Sequence, residues 1–232
     1  MPTKFDLEQL DADGDMRQAA EDAGHDRATF LRNGAFAGAG LVAGSTIFGL
    51  PSAAQAKISR RPSAKNDVKI LNYALTLEYL EAGFYRAAVD ADDFATPQLK
   101  QFAQVVAKHE QAHVDFLRKG LGRQAIKKPK FNADTVATLI SRERFAASAE
   151  LLEDTGVAAY AGQGPNLKTR AFVKAALGIH SVEARHAAWI RVLNGGGEVG
   201  APVRSYPAPK TFDVPKSEAS ILKAVKGLDV LA

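Results

Sequence analysis

Four long segments of this chain repeat apolar side chains at alternating steps of three and four residues, the spacing that lines one face of a helix. In the last segment, Phe172, Ala176, Ile179, Ile190 and Leu193 follow these steps. Gly and Pro residues separate the segments, and strand-like alternation is rare. The pattern predicts an all-α four-helix bundle, with helices at about 67–91, 97–119, 141–161 and 165–193 and shorter helices at 135–140 and 217–228.

Each of the four apolar stripes is interrupted by one glutamate, and two stripes also carry a histidine three residues later. These residues are Glu78, Glu110 with His113, Glu153, and Glu183 with His186. A buried carboxylate is costly unless it is paired or coordinates a metal. Two divalent cations would balance four glutamates and two neutral imidazoles. The six side chains are therefore predicted to be the ligands of a dinuclear metal site.

The same arrangement occurs twice along the chain, which makes it more specific than a single Glu-x-x-His pair. Glu78 precedes Tyr85 by seven residues, and Glu153 precedes Tyr160 by seven. The bundle is therefore predicted to consist of two similar helix pairs related by a pseudo-twofold axis. Tyr85 and Tyr160 are expected beside the site, with a role as ordinary core aromatics left open.

Other acidic and imidazole side chains lie close to the stripes without fitting their spacing. Glu81 and Glu150 are expected at the surface or just outside the ligands, and His109 and His180 are expected to be solvated or structural. The chain contains no Cys, which excludes disulfides, thiolate metal sites and Cys-bound iron–sulfur clusters. Carboxylate and imidazole ligands suit iron first, with manganese or zinc as alternatives.

The N-terminal part has the features of an export signal. Residues 33–50 are uncharged and rich in Gly and Ala, follow Arg27 and Arg32, and precede the small-x-small sequence Ala-Gln-Ala at 54–56. These are the three parts of a secretory signal peptide, so the mature chain is expected to begin near Lys57. An uncleaved membrane anchor and a buried Gly/Ala-rich helix are the alternatives.

The stretch 26–32 is similar to a twin-arginine export signal, but Ala28 stands where the second arginine belongs. Residues 1–56 are therefore predicted to be a degenerate export signal with an acidic leader, containing eight acidic and four basic side chains. The expected location is periplasmic or extracellular in a bacterium, without a stable membrane span in the mature form.

The rest of the chain divides into a four-helix bundle at 57–194 and an extension at 195–232. The extension is Pro-rich and irregular and contains a short helix. The net charge is +4, but the basic residues are dispersed and no nucleic-acid-reading motif is found, so no nucleic-acid partner is expected. The expected partners are metal ions and small oxidants, with a homodimer left open.

Four stretches of the sequence carry a family resemblance. They are LTLEYLEAGFY at 75–85, KHEQAHVDFL at 108–117, LLEDTGVAAY at 151–160 and HSVEARHAAWI at 180–190. They resemble the ferritin-like superfamily and, within it, the secreted ferritin-like domain family that includes plant desiccation-related proteins. The resemblance covers about residues 66–194. It implies a ferritin-like four-helix bundle, the six ligands given above, and two tyrosines near the bridging carboxylates.

The expected function is that of an exported di-iron or di-manganese carboxylate protein that oxidises Fe(II) or reduces O₂ or H₂O₂. Whether it is an enzyme is left open, with ferroxidase, peroxidase and catalase-like activities as the candidates. The alternatives are manganese-catalase-like peroxide disproportionation and a stress or desiccation protein with a purely structural metal site.

Overall fold

The computed structural model describes residues 57–196, 203 and 206–231. The predicted export signal and its acidic leader lie outside this part of the chain. Within it, the fold is all-α. The six α-helices are α1 (Ala64–Ala91), α2 (Pro97–Leu121), α3 (Ala133–Leu139), α4 (Phe145–Gln163), α5 (Arg170–Arg191) and α6 (Glu218–Gly227). None of the described helices is both long enough and apolar enough to cross a membrane.

The first helix pair is delimited by side-chain caps. The Ser63 side chain accepts a hydrogen bond from the backbone of Asn66 at the start of α1, and Asp92 ends that helix in the left-handed conformation. The Thr96 side chain accepts from the backbone of Leu99, and Pro97 occupies the first turn of α2. The two helices therefore form an antiparallel hairpin with a short connection.

The second pair, α4 and α5, begins later than the periodicity predicts. Residues 141–144 form a turn before α4, and α5 begins at Arg170 rather than 165. The buried Asp67 carboxylate from α1 explains the second difference. It accepts hydrogen bonds from the backbone N–H groups of Lys168 (2.7 Å) and Thr169 (3.0 Å). These contacts hold the chain extended ahead of α5 and tie its start to the first pair.

The four long helices bury two apolar clusters, one toward each end of the bundle. Along α2, Phe102 and Val106 belong to the first cluster, and Leu117 and Leu121 belong to the second. Glu110 lies between these two stretches of α2 and is fully buried. The predicted ligands therefore occupy a polar layer between two apolar clusters.

The C-terminal segment, predicted to be an irregular extension of the bundle, takes part in the first apolar cluster. Ile221 and Val225 of α6 and the following Val230 are all buried there. The backbone N–H of Lys216 donates to the carbonyl of Ala158 in α4 over 3.0 Å. The described part of this segment is therefore packed against the helices that carry the polar layer.

Candidate metal centre

The six predicted ligands come together in the polar layer. They form two groups of four, in each of which one ligand atom from every residue lies within 4.8 Å of the others. The groups are Glu78, Glu110, His113 and Glu183, and Glu110, Glu153, Glu183 and His186. Glu110 and Glu183 belong to both, which is the arrangement expected of carboxylates shared between two adjacent ions.

Both histidines turn Nδ1 toward the carboxylates. His113 Nδ1 lies 3.1 Å from oxygens of Glu110 and Glu183, and 3.3 Å from Glu78. His186 Nδ1 lies 3.1 Å from Glu110 and 3.2 Å from Glu153. Two ligand atoms that are each about 2.1 Å from one ion and at right angles are roughly 3 Å apart. The observed separations therefore fit neighbouring ligands of a common metal.

Four carboxylate oxygens in the layer are buried without a well-aligned hydrogen bond among the described residues. They are Oε2 of Glu78, Oε1 of Glu110 and both oxygens of Glu183, and a histidine Nδ1 lies 3.1–3.3 Å from three of them. Buried polar atoms are almost always hydrogen-bonded or bound to an ion, because their desolvation is otherwise uncompensated. The chemistry and placement of this donor set fit a pair of divalent cations.

The protonation of the metal-free site shows the same need for positive charge. Burial raises the pKa of Glu78 to about 7, even though His113 opposes the shift. Burial, and then the charge of Glu110, raises the pKa of Glu183 well above its ordinary value. Burial disfavours protonated His113, but hydrogen bonds to the carboxylates raise its pKa to about 12. Without metal, protons therefore provide the compensating charge.

Each tyrosine of the repeat links one helix pair to the other. The Tyr85 hydroxyl on α1 donates to Glu153 on α4, and the Tyr160 hydroxyl on α4 donates to Glu78 on α1. The carboxylates that they contact belong to one group each. Burial, followed by the nearby carboxylate charge, raises the pKa of both phenols. The tyrosines are therefore neutral donors that orient Glu78 and Glu153.

Residues 66–196 match the ferritin-like domain family, and this region is more than half of the chain. The chain belongs to the ferritin-like domain family. No curated protein matches it. The match covers all four helices that carry the six residues, and it agrees with the superfamily that the sequence motifs indicated.

Two residues near the centre of this ferritin-like domain were placed outside the site by helix periodicity. Glu81 is only 3% exposed, so of its two expected positions, the surface and a place just outside the ligands, the surface position is wrong. His109 is exposed, yet its Nδ1 lies 2.8 Å from Nε2 of His186, and the two rings stack. It contacts the outer nitrogen of a predicted ligand. His109 and His186 are 77 residues apart in the sequence, so helix periodicity could not show this contact.

The other two neighbours stay outside the ligand layer. Glu150 is partly exposed and accepts a hydrogen bond of 2.8 Å from Asn194. His180 is half-buried, and its Nδ1 has no hydrogen-bond partner in the described residues. Neither belongs to the two groups of candidate ligands in the ferritin-like domain.

Proposed function

We propose that this ferritin-like domain binds two divalent metal ions and uses them for redox chemistry with Fe(II), O₂ or H₂O₂. Iron is the first choice and manganese the alternative. The observation that carries the proposal is the pair of four-residue groups that share Glu110 and Glu183, because each group could hold one ion. Glu78 with His113 would complete one ion's ligands, and Glu153 with His186 would complete the other's.

The protein's own contribution is to fix the donors and to exclude water. The two apolar clusters enclose the polar layer, and Tyr85 and Tyr160 hold the outer carboxylates in one orientation. Fixed ligands in a low-dielectric interior interact more strongly with an ion than solvated ones. When bound, metal ions would supply the electrons and the Lewis acidity that such redox chemistry requires.

We propose, in addition, that the protein is exported. The support is the order of basic, uncharged and small-x-small segments before Lys57. N-terminal sequencing of protein recovered from the periplasm or medium of its own cell tests this. A start near Lys57 is expected, and an intact residue 1 in the cytoplasm would contradict it.

The function is tested by loading the purified protein with Fe(II) without oxygen and then admitting O₂ or H₂O₂. We expect two ions per chain by elemental analysis and consumption of the oxidant above that of free Fe(II). Less than one ion per chain together with no oxidant consumption would overturn the proposal.

The same experiment separates the alternatives. Peroxide disproportionation by a manganese-loaded protein without added reductant would identify a catalase-like activity. Two bound ions that raise the stability of the fold without any turnover would instead identify a structural metal site.

A further inference from the structure

The two halves of the bundle differ at one position that faces the polar layer. Glu78 and Glu153 are 75 residues apart, and so are Tyr85 and Tyr160. The same offset pairs Glu81 in α1 with a glycine, Gly156, in α4. A carboxylate in one half therefore corresponds to a residue without a side chain in the other.

Gly156 makes room for two carboxylates. A Cβ atom at this position would lie 3.1 Å from Oε2 of Glu183 and 3.2 Å from Oε1 of Glu81. Both distances are closer than ordinary van der Waals contact. The space left by the glycine therefore allows Glu81 to approach the α4 backbone on the same side of the polar layer as Glu183.

The carboxylates on this side need a cation. Oε2 of Glu183 is buried without a hydrogen-bond partner in the described part of the chain, and the whole Glu81 side chain is buried. Two buried anions that meet in this way repel each other unless a positive charge lies beside them.

We propose that Glu81 is a seventh protein ligand of the metal pair and binds on the side of Gly156. The inference rests on the proposed dinuclear centre and adds to it. Five carboxylates and two neutral imidazoles leave one negative charge with two M²⁺ ions, and none with one M²⁺ and one M³⁺. The ligand set therefore favours a higher oxidation state than four glutamates would, and it makes the two metal positions chemically different.

Co²⁺ is a suitable probe because its visible absorption depends on the number and geometry of its ligands. The experiment titrates Co²⁺ into wild-type protein, Glu81→Gln, Gly156→Ala and the control Glu150→Gln, a partly exposed glutamate on α4. For Glu81→Gln we expect an altered spectrum and about tenfold or greater loss of affinity for at least one ion. Gly156→Ala should change the spectrum and the affinity in the same direction as Glu81→Gln, whereas Glu150→Gln should match wild type.

An unchanged spectrum and affinity in Glu81→Gln would overturn this inference, while two Co²⁺ ions bound to wild type would leave the dinuclear centre standing. Absence of binding to wild type would overturn both. If Glu81→Gln fails to fold, Glu81→Asp decides, since shortening this carboxylate leaves Glu183 in place and must alter the spectrum if Glu81 is a ligand. A wild-type spectrum from a folded Gly156→Ala protein would count against the inference that Glu81 is a ligand.

Discussion

At the scale of single residues, Glu183 and His186 illustrate how one helical turn serves both candidate metal positions. Glu183 belongs to both groups of ligands, and His186 belongs to one. Both side chains are buried, yet neither is needed to form the helix, because the apolar residues around them do that. Loss of their donor atoms should therefore affect metal binding far more than folding.

The double substitution Glu183→Ala with His186→Ala tests this separation. We expect the metal content to fall from two ions per chain to one or none while far-ultraviolet circular dichroism keeps its helical signal. The reason is that one position loses a carboxylate and the other loses a carboxylate and an imidazole. Glu150→Ala with His180→Ala is the control, because this glutamate of α4 and this histidine of α5 lie outside both groups of candidate ligands. Unchanged metal content in the first variant would show that the ligand assignment is wrong.

The two tyrosine hydroxyls should stabilise the fold through the carboxylates that they contact. Tyr160→Phe removes the hydrogen bond that the Tyr160 hydroxyl donates to Oε1 of Glu78. Tyr85→Phe removes the hydrogen bond that the Tyr85 hydroxyl donates to Oε1 of Glu153. A hydrogen bond to a charged group contributes about 1.5–3 kcal/mol. We expect the free energy of unfolding of the metal-free protein, measured in urea, to fall by about this much in each variant.

Tyr206→Phe is the matched control because the Tyr206 ring is exposed, and it should change the unfolding free energy by less than about 0.5 kcal/mol. Equal effects in all three variants would show that the buried hydroxyls make no special contribution.

The pH dependence of metal binding follows from the histidines. In the metal-free protein the carboxylates raise the pKa of His186 to about 9, against the effect of burial. Protonated His186 therefore stabilises that form fully below its ordinary pKa of about 6.5, and the contribution is lost as the pH rises through about 9. A metal ion needs the neutral imidazole, so binding must release protons and strengthen with rising pH.

Calorimetric titration of Zn²⁺ in two buffers of different ionisation enthalpy measures this release. We expect the apparent binding heat to differ between the buffers at pH 7 and the affinity to be greater at pH 8 than at pH 6. Identical binding heats in both buffers would contradict the predicted release of protons on metal binding.

At the scale of helices and segments, the close approach of α4 to the C-terminal segment depends on Gly162. A Cβ atom there would lie 2.0 Å from the backbone oxygen of Lys216, next to the hydrogen bond between Lys216 and Ala158. The backbone of the segment cannot move aside as the end of a flexible side chain can. The described C-terminal residues are therefore held against α4 by a contact that only glycine permits.

Gly162→Ala is expected to destabilise the protein by about 1–3 kcal/mol, because the added methyl group overpacks this contact. Gly164→Ala is the control, since nothing lies within 4 Å of a Cβ at that position and its backbone is right-handed. Urea unfolding of the two variants gives the comparison. If both variants match wild type, the segment is not packed against α4 in solution.

At the scale of the whole molecule, residues that correspond in the sequence repeat come from two helix pairs and meet in one polar layer. The cross-linked Tyr–Glu contacts join α1 to α4 in both directions, and apolar clusters enclose the layer from both ends. The two halves differ at Glu81, which approaches Gly156, and at His109, which contacts His186. A centre built from two similar halves is therefore unequal in its surroundings.

The sequence by itself determined the all-α class, the two helix pairs and the six residues that meet in the polar layer. This was achievable because helix periodicity is local: steps of three and four residues place Glu183 and His186 on the same face as their apolar neighbours, whatever the rest of the chain does. The repeated Glu-to-Tyr spacing then showed that α1 corresponds to α4, and this required no information about how the two helices pack.

Only the tertiary structure decided the positions of Glu81, His109 and the start of α5. Each depends on a partner from another helix: Gly156 for Glu81, His186 for His109, and the Asp67 carboxylate for the residues before Arg170. The spacing of residues along one helix contains no information about which neighbour lies opposite or how closely it approaches. Those distances are set by the packing of the helix pairs against each other.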